Sequence, residues 1–264
     1  MINGISFIYP IFYYNQVHKM SRILLVEDNP RYASSAEQYL ASRNQAVTLA
    51  RDYSQAIDSL TNPEFDGVIT DCFFPEITGS GKTDNGKELV RRMANSDSHE
   101  RKIVEGLEIL GQYVDLEDPD VKKYGRFAAD VYGSDSSPTF KAVEMVFKTG
   151  GKPLATHAFK ESFKLIYREN KAPKDYYGAL MKAIEESEAN QPLGILVAEK
   201  AAEISLPFVL ATSTYHHDIL TQPIQNYASS KGWRLVDCGP NREDDKASPE
   251  FWGMVLTELQ RRSR

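Results

Sequence analysis

The chain is poor in cysteine and in tryptophan, with two of each in 264 residues. Two thiols, Cys72 and Cys238, cannot build the disulfide framework of a small secreted protein, so a reducing cytoplasm is the expected setting. A metal or redox role for either thiol is the minority reading, because cysteine is usually a small buried hydrophobe. An excess of positive charge is missing as well. Lys and Arg number 31 against 37 Asp and Glu, a net charge of −6, which gives no reason to expect nucleic acid as a partner. Long hydrophobic runs are absent too. Residues 1–19, MINGISFIYPIFYYNQVHK, are apolar and aromatic but broken by Pro10. They are too short for a membrane span and lack the basic start and small-residue cleavage site of a signal peptide. The favoured reading takes 1–21 as an N-terminal extension, with no membrane partner indicated. Neither an internal repeat nor a low-complexity tract occurs, and the length allows one large domain or two small ones around a real core.

What is present is an alternation of strand and helix. Short apolar runs at Arg22–Val26, Ala46–Ala50, Gly67–Thr70, Pro207–Ala211 and Trp233–Asp237 read as strands. Helical spacing marks Pro30–Arg43, Tyr53–Leu60, Asp218–Ser229 and Pro249–Arg261, with Asn29 as a cap for the first. Strands separated by helices of this length imply right-handed βαβ units and a parallel sheet.

The first and third of these strands run directly into acid. Arg22–Val26 runs into Glu27-Asp28, and Gly67–Thr70 runs into Asp71, with Pro75 and Gly79 turning the chain beyond it. Ligands of open α/β sheets bind at this carboxyl edge. Three carboxylates crowded there repel one another unless a cation neutralises them, and hard oxygen ligands with open positions suit Mg²⁺.

The run ILLVEDN, followed 43 residues after Asp28 by Asp71-x-x-x-Pro75-x-x-x-Gly79, resembles the receiver domain of two-component response regulators. The resemblance covers 22–93 and 191–262. It implies a flavodoxin-like, doubly wound sheet of five parallel strands in the order 2-1-3-4-5. It also implies Glu27, Asp28 and Asp71 as Mg²⁺ ligands, Asp71 as acceptor of a phosphoryl group from a histidine kinase or phosphotransfer protein, and Thr212 as the switch hydroxyl. The family's lysine before a proline is not in its place, since the matching dipeptide is Gly239-Pro240, and Val236 stands where an aromatic switch is usual. Lys82, Lys246 and Arg242 are the candidates to replace that charge from nearby loops.

Residues 94–190 have no counterpart in the resemblance. They read as a helical insertion that splits or lengthens the third helix, for which Asn85–Met93 and Pro192–Lys200 are both candidates. Its helices are expected near 101–112, 119–132, 138–148, 154–168 and 174–188, with joints at Gly150-Gly151 and Ala172-Pro173. A core of its own is expected from Phe159, Phe163, Ile166 and Tyr167, and a partner surface is the role the insertion suggests. Thr78–Thr83, TGSGKT, ends like a phosphate-binding loop, but Glu76 stands where such a loop needs glycine. A nucleotide-handling or phosphatase-like enzyme is therefore the weakest reading, and a polar loop over the acidic edge the better one. His216-His217 reads as a surface helix start rather than a zinc site, and His99 and His157 lack ligand-like neighbours. The competing function is a degenerate receiver that binds partners without phosphorylation.

Overall fold

Alternate residues of the first strand go to opposite faces of a sheet, and that period of two organises the protein. In the computed structural model, which describes residues 21–61, 64–133, 136–166 and 174–262, β1 (Ser21–Val26) lies between β2 (Gln45–Ala50) and β3 (Gly67–Thr70). β4 (Phe208–Ala211) pairs with β3, and β5 (Leu235–Val236) closes the far edge. All four pairings are parallel, in the order 2-1-3-4-5. The fold is flavodoxin-like, with an inserted helical part, as the sequence implied. The reading of residues 1–19 lies outside the described residues.

Ile23 and Leu25 face α1 (Pro30–Ser42) and α10 (Pro249–Arg262), where they meet Ala36, Leu40, Phe251, Trp252 and Val255. Leu24 and Val26 face the other way. There they join Ala56 and Leu60 of α2 (Tyr53–Thr61), Ile195 and Ala198 of α8 (Gly194–Glu203), and Ile224 and Ala228 of α9 (Gln222–Ser230). Each of the larger of these side chains contributes about 1.5–3 kcal/mol on burial, which leaves the central strands little freedom of register.

Of the two candidates for the third helix, α8 is the one that packs on β3 and β4. Between β3 and α8 the chain runs through α3 (Asp84–Ser96), α4 (Ser98–Tyr113), α5 (Pro119–Tyr132), the helical stretch α6 (Pro138–Ile166) and α7 (Tyr176–Glu186). α6 merges the two helices expected at 138–148 and 154–168, and it breaks at Gly151, whose φ is +72°. This excursion has two packing units. Leu89, Val90 and Met93 of α3 and Tyr177, Leu180 and Ile184 of α7 belong to the same core as the sheet face. Helices α4 to α6 have a separate core around Leu110, Tyr124, Phe140, Phe159 and Phe163, with the last two rings 4.5 Å apart.

Two ends differ from the sequence reading. α9 starts at Gln222 rather than Asp218, because residues 215–221 form tight turns, with Asp218 N–H bonding to the Tyr215 carbonyl, before Pro223 opens the helix. β5 is only two residues long, since beyond Val236 no neighbouring strand remains for it to pair with. No described helix is long and apolar enough to cross a membrane.

Candidate functional site at the carboxyl edge of the sheet

The sheet itself sets the distance between Glu27 and Asp71. Val26 is in register with Thr70, so the next residue on each strand passes the edge together, and the Asp71 amide still bonds to the Val26 carbonyl at 2.8 Å. Asp28 follows at the rim. One carboxylate oxygen from each of the three lies within 4.8 Å of the others, and no other group of three or more His, Cys, Asp or Glu does so among the described residues.

One oxygen of each buried acid is held by the backbone. Glu27 Oε1 accepts from the Asn29 amide at 3.1 Å, and Asp71 Oδ1 accepts from the Cys72 amide at 2.6 Å. The remaining oxygens converge on one ammonium. Lys246 Nζ is 2.7 Å from Glu27 Oε2 and 3.0 Å from Asp71 Oδ2, and the lysine side chain is wholly buried. It comes from a 3-10 turn, Glu243–Ala247, packed between α1 and α10. The turn is tied to α1 by the Arg31–Asp244 ion pair and by Tyr32 Oη donating to the Glu243 carbonyl, and the Tyr32 ring lies 5.3 Å from the ammonium.

These charges reshape each other. Burial pushes Glu27 up to about 8, against the pull of Lys246 and with the help of Asp71. Burial, and then Asp71, raise Asp28 to about 6. Burial works to lower Lys246, but Asp71 and Glu27 outweigh it and hold the ammonium charged. One positive charge among three carboxyl groups leaves the pocket short of cation. The donor set, all hard oxygens with Asp28 at the rim, could hold a metal ion.

The other residues singled out from sequence fall around this centre or away from it. Lys82 is exposed on the loop after β3, so Lys246 and not Lys82 is the lysine in the pocket. Nothing in residue spacing could single out Lys246, because a short turn rather than a strand end delivers it. Arg242 bonds Asp245 within its own turn. Thr212 is buried directly after β4, and its hydroxyl is 2.9 Å from that of Thr214, which is 2.6 Å from that of Thr221. Cys72 and Cys238 are buried free thiols. Burial raises Cys72 well above the usual thiol range and Cys238 to about 12, so neither is a ready thiolate.

His216 Nδ1 sits 2.5 Å from Asp237 Oδ2, which ties the segment before α9 to the residue after β5, and His217 Nδ1 is 3.1 Å from Gln222 Oε1 at the start of α9. His99 pairs with Asp130 inside the insertion. The glycine amides of the TGSGKT loop have a partner within the protein: those of Gly79 and Gly81 both bond to the carboxylate of Glu188. Comparison of the chain with family models, with curated proteins and with solved structures gives no match.

Proposed function

We propose that the protein is a signalling receiver: Asp71 accepts a phosphoryl group from a histidine kinase or phosphotransfer protein in a Mg²⁺-dependent step. The observation that carries this reading is Lys246, buried between Glu27 and Asp71 in a pocket that still has a surplus of carboxylate. In the transfer, an Asp71 oxygen bonds to phosphorus as the donor's P–N bond breaks, and the departing imidazole keeps its electron pair and takes a proton. The new acyl phosphate adds negative charge where Lys246 already stands, and a fixed charge in a dry site costs no reorganisation during the reaction. Glu27, Asp28 and Asp71 are the residues that would hold Mg²⁺, which would neutralise the oxygens of the transferred group. The Asp71–Cys72 amide bond fixes the carboxylate's orientation before any donor arrives. Two buried free thiols suit a reducing cytoplasm, and α4 to α6 offer a surface for a downstream partner.

A second reading, an interaction module that works without phosphorylation, is favoured by Val236 in place of an aromatic switch and by the Thr212 hydroxyl being engaged with Thr214. One experiment separates the two. The purified chain is incubated with a small phosphodonor such as acetyl phosphate and Mg²⁺, and acid-labile phosphate is read by intact mass. The receiver reading expects one phosphoryl group on the wild type and none on Asp71→Asn. An unlabelled wild type hands the protein to the second reading.

A further inference from the structure

The insertion leaves and rejoins the sheet at the acidic edge itself. The Phe74 amide bonds to the Gln191 carbonyl at 3.2 Å, and the Gly194 amide bonds to the Cys72 carbonyl at 3.2 Å. Gly194 packs so tightly that a Cβ there would lie 2.0 Å from the Asp71 carbonyl oxygen. Between these two strands of contact, the 3-10 turn Glu188–Asn190 grips the loop that follows Asp71. Glu188 accepts from Gly79 N–H through one oxygen, at 2.6 Å, and from Gly81 N–H through the other. The fully buried Gln191 side chain donates to the Lys82 carbonyl at 2.9 Å and accepts from the Gly86 amide at 3.2 Å. On its far side the loop bonds to Asp52, through the amide and hydroxyl of Thr78.

The same turn ends α7, and α7 reaches the helical unit. Tyr177 Oη donates to Asp97 Oδ2 at 2.9 Å, while Asp97 Oδ1 caps α4 by accepting from the amides of His99 and Glu100. A loop held by charge-assisted bonds from two exposed glycines to a half-buried carboxylate is the weakest joint in this path, because its two amides have water as a ready alternative. We infer that Glu188 is a latch between the loop after Asp71 and the insertion, through which loading of the acidic pocket changes the insertion. What loads the pocket rests on the receiver reading, whereas the latch rests on the bonds just described. Coupling of this kind is reciprocal, so releasing the latch also changes the pocket's affinity for a divalent ion.

The test is hydrogen exchange on the full chain, followed in peptides covering 77–86 and 176–190, for wild type, Glu188→Gln and Glu188→Ala. Losing two bonds to a carboxylate should accelerate ligand-free exchange of the loop by about tenfold in Glu188→Ala, and less in Glu188→Gln, which keeps one acceptor. Mg²⁺ with beryllofluoride, a phosphoryl analogue, should alter exchange over 176–190 in the wild type and only over 77–86 in Glu188→Ala. Unchanged loop exchange in ligand-free Glu188→Ala overturns the latch, as does a response over 176–190 that survives in that variant. If calorimetry shows that the wild type takes up neither Mg²⁺ nor the analogue, the receiver reading fails. The latch is then decided without ligand: Glu188→Ala must accelerate exchange over both peptides, and an effect confined to 77–86 overturns it.

Discussion

Among the described residues, the buried Lys246 and the half-buried Arg126 meet their carboxylate partners in opposite ways. Arg126 of α5 meets Glu100 of α4 in a double bond pair, Nη1 to Oε1 at 2.9 Å and Nη2 to Oε2 at 2.8 Å, with Asp175 at the cap of α7 3.7 Å from Nη1. The two Nη groups and the two carboxylate oxygens pair one to one, and Arg126 Nε is left without a partner among the described residues. Burial opposes the charge on Arg126, but Glu100 and Asp175 hold it above its ordinary value. Lys246, by contrast, is a point charge shared by two carboxylates, with a third carboxylate at the rim. The first arrangement is closed and joins helices α4, α5 and α7. The second is open on one side and short of positive charge. A buried ion pair is by itself weak evidence of function. What separates these two is the surplus of carboxylate.

Removing Lys246 breaks the comparison hardest. Lys246→Met leaves two almost fully buried carboxyl groups without their ammonium, and loss of one partner from a buried pair costs about 3–5 kcal/mol. Urea denaturation should show a loss of that size, and millimolar Mg²⁺ should restore part of it by binding the folded state alone. A loss of stability that Mg²⁺ does not touch would show that the pocket is built for the lysine and not for a divalent ion.

The closed pair should behave otherwise. Arg126 and Glu100 keep 17% and 11% of their side-chain surface exposed, so Arg126→Met should cost less, about 2 kcal/mol. Arg126→Met combined with Glu100→Leu should recover most of that, because no buried charge is left over. Neither variant should change divalent affinity measured by calorimetry. A double variant as unstable as the single one would mean that Asp175 and the α7 cap depend on the guanidinium more than Glu100 does.

How much of this was legible in the sequence follows from what each feature rests on. The sheet was legible because β1, β3 and β4 are buried on both faces and so read as unbroken apolar runs. Glu27, Asp28 and Asp71 were legible because they end those strands. The helices of the insertion were legible from their period and from joints such as Gly150-Gly151, while the caps Asp97 and Asp118 come from the structure. Its packing was not. Residues 94–190 look uniform in sequence, yet α7 shares the sheet's core while α4 to α6 keep their own, because which apolar face meets which is decided by chain reversal rather than by local pattern. The grip of Glu188 on Gly79 and Gly81 was hidden for the same reason, since it joins residues more than a hundred positions apart. Lys246 stood in the sequence only as one of several nearby charges, for it reaches the pocket from a turn whose position depends on α1 and α10.

The smallest effect concerns Gly239, where the family resemblance expects a lysine. Gly239 has φ +79°, and a Cβ there would meet only Arg242 Cδ, at 3.9 Å, so space is available while the backbone conformation is not. A non-glycine residue in that conformation costs about 1 kcal/mol, and asparagine is tolerated better than lysine. Gly239→Lys should therefore lower stability by about that amount, with Gly239→Asn costing less, in parallel chemical denaturations. Because Lys246 already lies 3.0 Å from Asp71, a second ammonium at 239 should bring no increase in Asp71-dependent, acid-labile mass. Should Gly239→Lys label more strongly than the wild type, the ammonium of Lys246 is not serving the transferred group. The Lys246 pocket would then join the Arg126 pair as a closed structural element, and the contrast between the two cations would lose its functional side.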